Sequence, residues 1–133
     1  MQVDQAIAEI LKREGVEQIF LFPFPPILEA VSAAGIRPIV ARQERVAENM
    51  ADGFSRVSNG KRIGTVTVQQ AAGAENAFAG IAQAYTDSSP ILFLPGGMPR
   101  SESGTPPSFN AVPNYQATTK WADQLLTADS LPQ

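Results

Sequence analysis

The chain of 133 residues is the size of one domain, and a hydrophobic share of 44% is enough to fill a core and argues against disorder. A formal net charge of −3, with ten basic residues scattered along the sequence, leaves no electrostatic footprint for nucleic acid and no basic helix for a membrane surface. The lack of cysteine and histidine excludes disulfides, thiolate chemistry, a histidine base, a Ser-His triad and most zinc sites.

Val3, Ala6, Ile7, Ile10 and Leu11 recur at helical spacing and predict a first helix ended by Gly15. This opening carries acids where a secretion signal carries a basic and then an apolar run, and no apolar run approaches membrane-spanning length, so the expected location is the cytoplasm. "QIFLF" (18–22), bounded by "PFPP", and "RPIVA" (37–41), after Gly35, read as buried parallel strands. The stretch "ILEAVSAAG" between them reads as a helix, making a strand, helix, strand unit. From Glu44 to Asn59 a second long helix is expected, with Val46, Met50, Phe54 and Val57 on its inward stripe and "NGKR" as the closing turn. "IGTVTV" (63–68) is the third strand. Gly73 to Tyr85 is a helix with Ala74, Ala77, Phe78, Ile81, Ala82 and Tyr85 inward, and "PILFLPGG" (90–97) is the fourth strand with its exit loop. The alternation predicts an α/β fold, a parallel sheet flanked by helices on both faces. Beyond Gly97, Pro99, Pro106, Pro107 and Pro113 mark a long excursion loop. "TTKWADQLL" is then read as resumed, helix-like structure, and "TADSLPQ" as the approach to another helix.

Taken together, "IVARQERVAENMADGFSR", "TVTVQQAAGAENAFAGIAQAYTDSSPILFLPGG" and "TKW" give the chain a likeness to one family. From about residue 3 to 130 it resembles the pyrimidine-binding (PYR) domain of thiamine-diphosphate enzymes related to acetolactate synthase, benzoylformate decarboxylase and oxalyl-CoA decarboxylase. The resemblance implies one PYR domain over residues 1–133, incomplete at its C-terminal side, with the diphosphate-binding domain outside this chain.

In that family a glutamate stands where the second strand meets the next helix, and Glu44 occupies the position. The resemblance implies that it hydrogen-bonds a ring nitrogen of the cofactor's aminopyrimidine. An acid is needed there because the aminopyrimidine must change tautomer, and a carboxyl group in a poorly solvated cleft can pass the proton. Without the resemblance, Glu44 is a first-turn acid complementing the helix dipole, worth about 0.3–1 kcal/mol. Arg42, Arg45 and Glu48 read as surface or interface charges. Gly53 and Gly80 read either as surface glycines or as points of close helix contact, between subunits for example.

The family's Gly-Pro-Gly after the third strand corresponds here to Ala71, Ala72 and Gly73, followed by the matching Asn76. The resemblance places Ala72, Gly73 and Asn76 against the aminopyrimidine. Gln69 stands where benzoylformate decarboxylase has a catalytic histidine, which makes it a candidate substrate contact. The loop after the first strand, usually Gly-x-Pro-Gly, reads Pro23-Phe24-Pro25-Pro26. Pro25 matches, and Phe24 either lines the pyrimidine site or packs in the core. "SFN" resembles a segment that faces the active centre in the family and nominates Phe109 and, less closely matched, Asn110.

The implied cofactor is thiamine diphosphate with Mg²⁺. The family's Gly-Asp-Gly metal motif does not occur in this sequence, so no metal ligand is assigned and the ion's ligands are expected on another domain or chain. FAD, bound by some relatives, is signalled by no residue here. The expected partners are a second copy, in a dimer or tetramer, or a separate diphosphate-binding subunit. Small residues at Ala47, Ala51, Gly53, Ala74, Ala77 and Gly80 suggest the interface. The expected activity is carboligation of a 2-oxo acid in the manner of acetolactate synthase. The alternatives are a decarboxylase or lyase acting on a 2-oxo acid or an acyl-CoA, and a non-catalytic assembly or regulatory domain. A nucleotide-binding α/β protein would need a Gly-x-Gly-x-x-Gly or Walker segment, and none follows any strand.

Overall fold

The computed structural model describes residues 2–102 and 104–130. Four strands, β1 (Gln18–Leu21), β2 (Arg37–Val40), β3 (Gly64–Val68) and β4 (Ile91–Pro95), form one parallel sheet in the order β2-β1-β3-β4. Four helices alternate with them: α1 (Val3–Arg13), α2 (Pro25–Ala33), α3 (Glu44–Val57) and α4 (Ala72–Thr86). A short helix, α5 (Val112–Tyr115), and two 3₁₀ turns, Arg100–Glu102 and Ala128–Ser130, follow β4.

Alternation along β1 divides the core. Ile19 and Leu21 point to a face packed by Ala8 and Leu11 of α1 and Ile27 and Val31 of α2. Phe20 points to the opposite face, where Ala47 and Ala51 of α3 and Val66 and Val68 of β3 meet it. Register places Ile39, Phe20, Val66 and Phe93 in one row across that face. The chain starts at the central β1, moves outward to β2, then crosses to β3 and β4. The direction of winding therefore reverses between β1 and β3, and the loops leaving those strands flank a crevice at the carboxyl end of the sheet.

Glycines set how closely the layers approach. A Cβ on Gly64 would lie 2.0 Å from the carbonyl oxygen of Ala51, so α3 crosses β3 with backbone against backbone. Ser55 serves the same crossing: its hydroxyl accepts from the Gly64 amide at 2.7 Å and donates to the Pro90 carbonyl. The prolines after β1 are absorbed by helix geometry. Pro25 and Pro26 open α2, where a missing N–H leaves nothing unpaired.

Several expectations are corrected. In α3, Met50 and Phe54 pack on the sheet, but Val46 and Val57 are 43% and 86% exposed. The helix is covered on two flanks, by the sheet and by α4, and this buries Glu44, Ala47, Glu48, Ala51, Asp52 and Ser55 instead of a single large-apolar stripe. Glu48, read as a surface or interface charge, is fully buried within the chain. Ile10 of α1 and Tyr85 of α4 lie outward. Ala47, Ala51, Ala74, Ala77 and Gly80 are buried within the chain, and α3 and α4 pack side by side, so the small residues serve an internal contact. Residues 118–126 form no helix. The hydroxyls of Thr118 and Thr119 both bond the Tyr115 carbonyl, and Trp121, 71% exposed, has no face to bury. The stretch read as the approach to another helix forms one 3₁₀ turn, Ala128–Ser130, and its residues 131–133 lie outside the described residues.

Gly64→Ala is expected to destabilise the fold by about 3 kcal/mol or more, since the opposing atoms are backbone and cannot rotate away. Denaturant unfolding of the variant beside the parent measures it.

Candidate functional site

Glu44 is the first residue of α3, entered from Gln43 in extended conformation (φ −148°, ψ 151°). This places its side chain at the carboxyl end of the sheet, on the flank facing α4, where it is 7% exposed. The Asn76 side-chain amide donates to Oε2 at 2.6 Å, and that of Gln69 donates to Oε1 at 3.3 Å. Both carboxyl oxygens are thus held, from two different elements. On the outer side, the Arg45 guanidinium lies 3.5 Å from the Asn76 carbonyl, and Arg42 is exposed.

The loop from β3 to α4 brings these amides in. Ala71 adopts φ 53° and ψ −109°, a left-handed φ that costs a Cβ-bearing residue about 1–3 kcal/mol, and its carbonyl accepts from the Glu75 amide at 3.0 Å. Ala72, the first residue of α4, is exposed. Gly73 is buried, and a Cβ there would stand 2.4 Å from Cγ of Gln69 and 3.4 Å from Cγ of Glu44. Glycine at this position lets the three residues share one small volume.

Phe24, the N-cap of α2, joins the crevice from the β1 side. A Cβ on Gly96 would be 2.9 Å from the Phe24 ring and 3.2 Å from the Gln70 amide nitrogen, so ring, glycine and loop backbone converge where β1, β3 and β4 end. The ring also packs against the α1–α2 core, in keeping with the core reading of Phe24. Pro25 begins α2 beside it. Phe109 and Asn110 are not brought to Glu44. They line a surface hollow with Met98 and Gln124, and Asn110 accepts from the Val112 amide at 3.0 Å. Tyr115 anchors this excursion to α4: its buried hydroxyl donates to the Ala74 carbonyl, and burial pushes the phenol pKa up. A long open groove runs from α1 along β4 to the Trp121 segment, but Glu44, Gln69 and Asn76 do not line it.

The family model described as "Thiamine pyrophosphate enzyme, N-terminal TPP binding domain" matches residues 1–126. The chain belongs to this family. Among its relatives, the acetolactate synthase large subunit of Haemophilus influenzae is 41% identical over 96 residues, covering 69% of this chain and 16% of that protein. The acetolactate synthase large subunit of Lactococcus lactis is 42% identical over 96 residues, with the same coverage of 69% and 16%. The probable acetolactate synthase large subunit of Methanocaldococcus jannaschii is 32% identical over 138 residues, covering 100% of this chain and 23% of the relative. The TPP-binding domain is therefore of the acetolactate-synthase-like kind, and the chain spans between 16% and 23% of the length of these relatives.

The site fits one end of thiamine diphosphate. A buried carboxyl, an aromatic ring and a glycine-opened backbone turn suit a flat nitrogen heterocycle. The metal ion finds no such match among the described residues, where no three acids gather to hold it. No helix among them is long and apolar enough to cross a membrane.

A second acid, missed by sequence reasoning, lies one turn along α3. Neither Glu48 carboxyl oxygen has a hydrogen-bond partner, and Oε2 lies 1.4 Å from where a Cβ on Gly80 would be. Gly80 is thus the seat of a buried carboxyl group. Burial, reinforced by Asp52 and opposed by Arg56, pushes Glu48 from its ordinary 4.5 up to about 7. The only sequence signal was its spacing, four residues from Glu44 and therefore on the same helix face.

A carboxyl whose folded pKa is raised holds its proton in the native state after the unfolded chain has released it, so stability falls with rising pH. The expected profile loses about 3 kcal/mol between pH 4.5 and about 7, then levels off. Glu48→Gln should remove that slope relative to the parent. Denaturant unfolding at a series of pH values measures the difference.

Proposed function

We propose that this domain supplies the aminopyrimidine-binding half of the active site in an enzyme that makes or cleaves a carbon–carbon bond next to the carbonyl of a 2-oxo acid, with acetolactate-synthase-like carboligation as the leading reaction. The observation that carries the proposal is the Glu44 carboxyl, 7% exposed and held on both oxygens at the carboxyl end of the sheet, in a chain of this family. The likeness to acetolactate synthase large subunits supports the choice of reaction.

Thiamine diphosphate, when bound, supplies the reactive carbon and the electron sink. The chain's own residues bind and orient it. Each Glu44 oxygen already accepts one amide hydrogen bond and keeps a lone pair free, so the carboxyl can still hold or exchange a proton with a ring nitrogen placed over it. Ala72 and the Gly73 backbone offer a surface without protruding side chains, and the Phe24 ring closes the crevice from the β1 side. Mg²⁺ and the diphosphate are assigned to a diphosphate-binding domain on the same polypeptide or a separate subunit, in a homodimer or tetramer. Ala47, Ala51, Ala74, Ala77 and Gly80 serve the α3–α4 contact within the chain and are not offered as the interface. Pro26, which departs from the family pattern, follows the matching Pro25 in the first turn of α2 and has a structural role as a helix starter, and this weakens the case for a non-catalytic domain.

In the complete protein with thiamine diphosphate and Mg²⁺, Glu44→Gln is expected to leave the fold intact and slow exchange of the cofactor's thiazolium proton by about 10²-fold or more. Quenched-flow NMR reads the exchange. Unchanged exchange would reduce Glu44 to a helix-terminus charge, and product analysis with short 2-oxo acids separates carboligation from simple decarboxylation.

A further inference from the structure

We infer that Gln69 is a positioning residue for Glu44, and that Gln69 and Asn76 form an amide clamp able to orient the carboxyl in either protonation state. The inference rests on the relay role proposed for Glu44 and deepens it, assigning Gln69 to the acid and not to the substrate.

The path of the Gln69 side chain is the first ground. The residue follows the last position of β3, and its Cγ lies 2.4 Å from where a Cβ on Gly73 would stand. The side chain therefore runs flat against the Gly73 backbone, through a slot that any other residue at 73 would fill. At the far end Nε2 reaches Oε1 of Glu44 at 3.3 Å, and Cγ of Glu44 borders the same slot at 3.4 Å. A side chain threaded through this slot and bonded at its tip is directed toward the acid.

The donor chemistry is the second ground. Asn76 takes Oε2 from α4 while Gln69 takes Oε1 from the end of β3, so the carboxyl plane is fixed from two directions. An arginine or lysine in either place has no acceptor to offer a carboxylic O–H and would favour the ionised form. A primary amide has a donor end and an acceptor end and exchanges them by a half-turn, so it can donate to a carboxylate or accept from a carboxylic O–H. The 2.6 Å separation at Oε2 suits both arrangements, being short for an amide donor and ordinary for a carboxylic O–H bonded to an amide oxygen. An acid between two amides can gain or lose its proton without losing its aim.

The test has an arm that needs no cofactor. In NMR of the complete protein free of thiamine diphosphate, the Gln69 side-chain amide resonances are expected to shift with pH as Glu44 ionises, and to lose that response in Glu44→Gln. A Gln69 amide indifferent to pH in the parent would overturn the inference. In the cofactor-loaded protein, Gln69→Leu keeps the bulk and removes the amide. It should slow thiazolium proton exchange about tenfold, the worth of one hydrogen bond, while KM for the 2-oxo acid stays within about twofold. A raised KM with parental proton exchange would show a substrate contact and overturn the inference. Unchanged exchange in Glu44→Gln would instead overturn the relay role of Glu44 while the cofactor-free NMR response still reported the clamp, so the two failures are distinguishable.

Discussion

The close approach of α4 to α3 is the constraint on which the rest depends. Two parallel helices sit side by side because Gly73 and Gly80 have no side chains where α3 and the β3 end press in, and Ala47, Ala51, Ala74 and Ala77 fill the remainder without forcing the axes apart. The pairing is clasped along its length. Asn76 bonds Glu44 at the leading end, and Arg56 joins Asp52 of its own helix to Asp87, the C-cap of α4, at the trailing end. A bulkier residue at either glycine would push the helices apart and carry Asn76 away from the acid it holds. The helix contact and the site geometry are therefore one feature.

Two glutamates lie along that contact, and their contrast shows how environment assigns a role. Glu44, at the helix start, meets two amide donors and a crevice; its orientation is determined and its oxygens retain free lone pairs. Glu48, one turn on, is sealed over Gly80 with no donor for either oxygen and with Asp52 nearby. A buried acid without partners is held most cheaply as the neutral form. The same residue type on the same helix face thus becomes an oriented acid in one case and a titrating liability in the other, and the deciding factor is what α4 and the β3 loop place opposite.

The sheet topology explains why these parts meet. Parallel strands point their carboxyl ends the same way, so the loops after β1, β2, β3 and β4 gather on one edge of the domain. Reversal of winding between β1 and β3 opens the crevice there, with Phe24 on one side and the strained Ala71 turn on the other. Glu44 reaches toward it from the neighbouring β2. The result is an oriented acid, an aromatic ring and a backbone turn on one edge of the domain, which suits a heterocycle, while no three acids gather among the described residues to hold a metal ion.

Element type and order were legible in the sequence because period-2 and helical patterns, broken by Gly15, Gly35 and the Pro-Phe-Pro-Pro segment, are local signals. Glu44, Gly73 and Asn76 were singled out together through a family pattern that local physics does not explain, and the fold brings them side by side. What the sequence could not reveal was which flank of each helix would be covered. Val46 and Val57 lie on the right stripe for a helix resting on a sheet alone. Once α4 packs alongside α3, the buried arc turns toward it, Glu48 goes inside and the valines are left in solvent. The pairing of Gln69 with Glu44 was likewise hidden, since it joins positions 25 residues apart through a slot that exists only after β3, α3 and α4 have met at Gly73. Local patterning determined the elements of this protein; the close packing between them decided which of its acids is buried without a partner and which is held in place at a site.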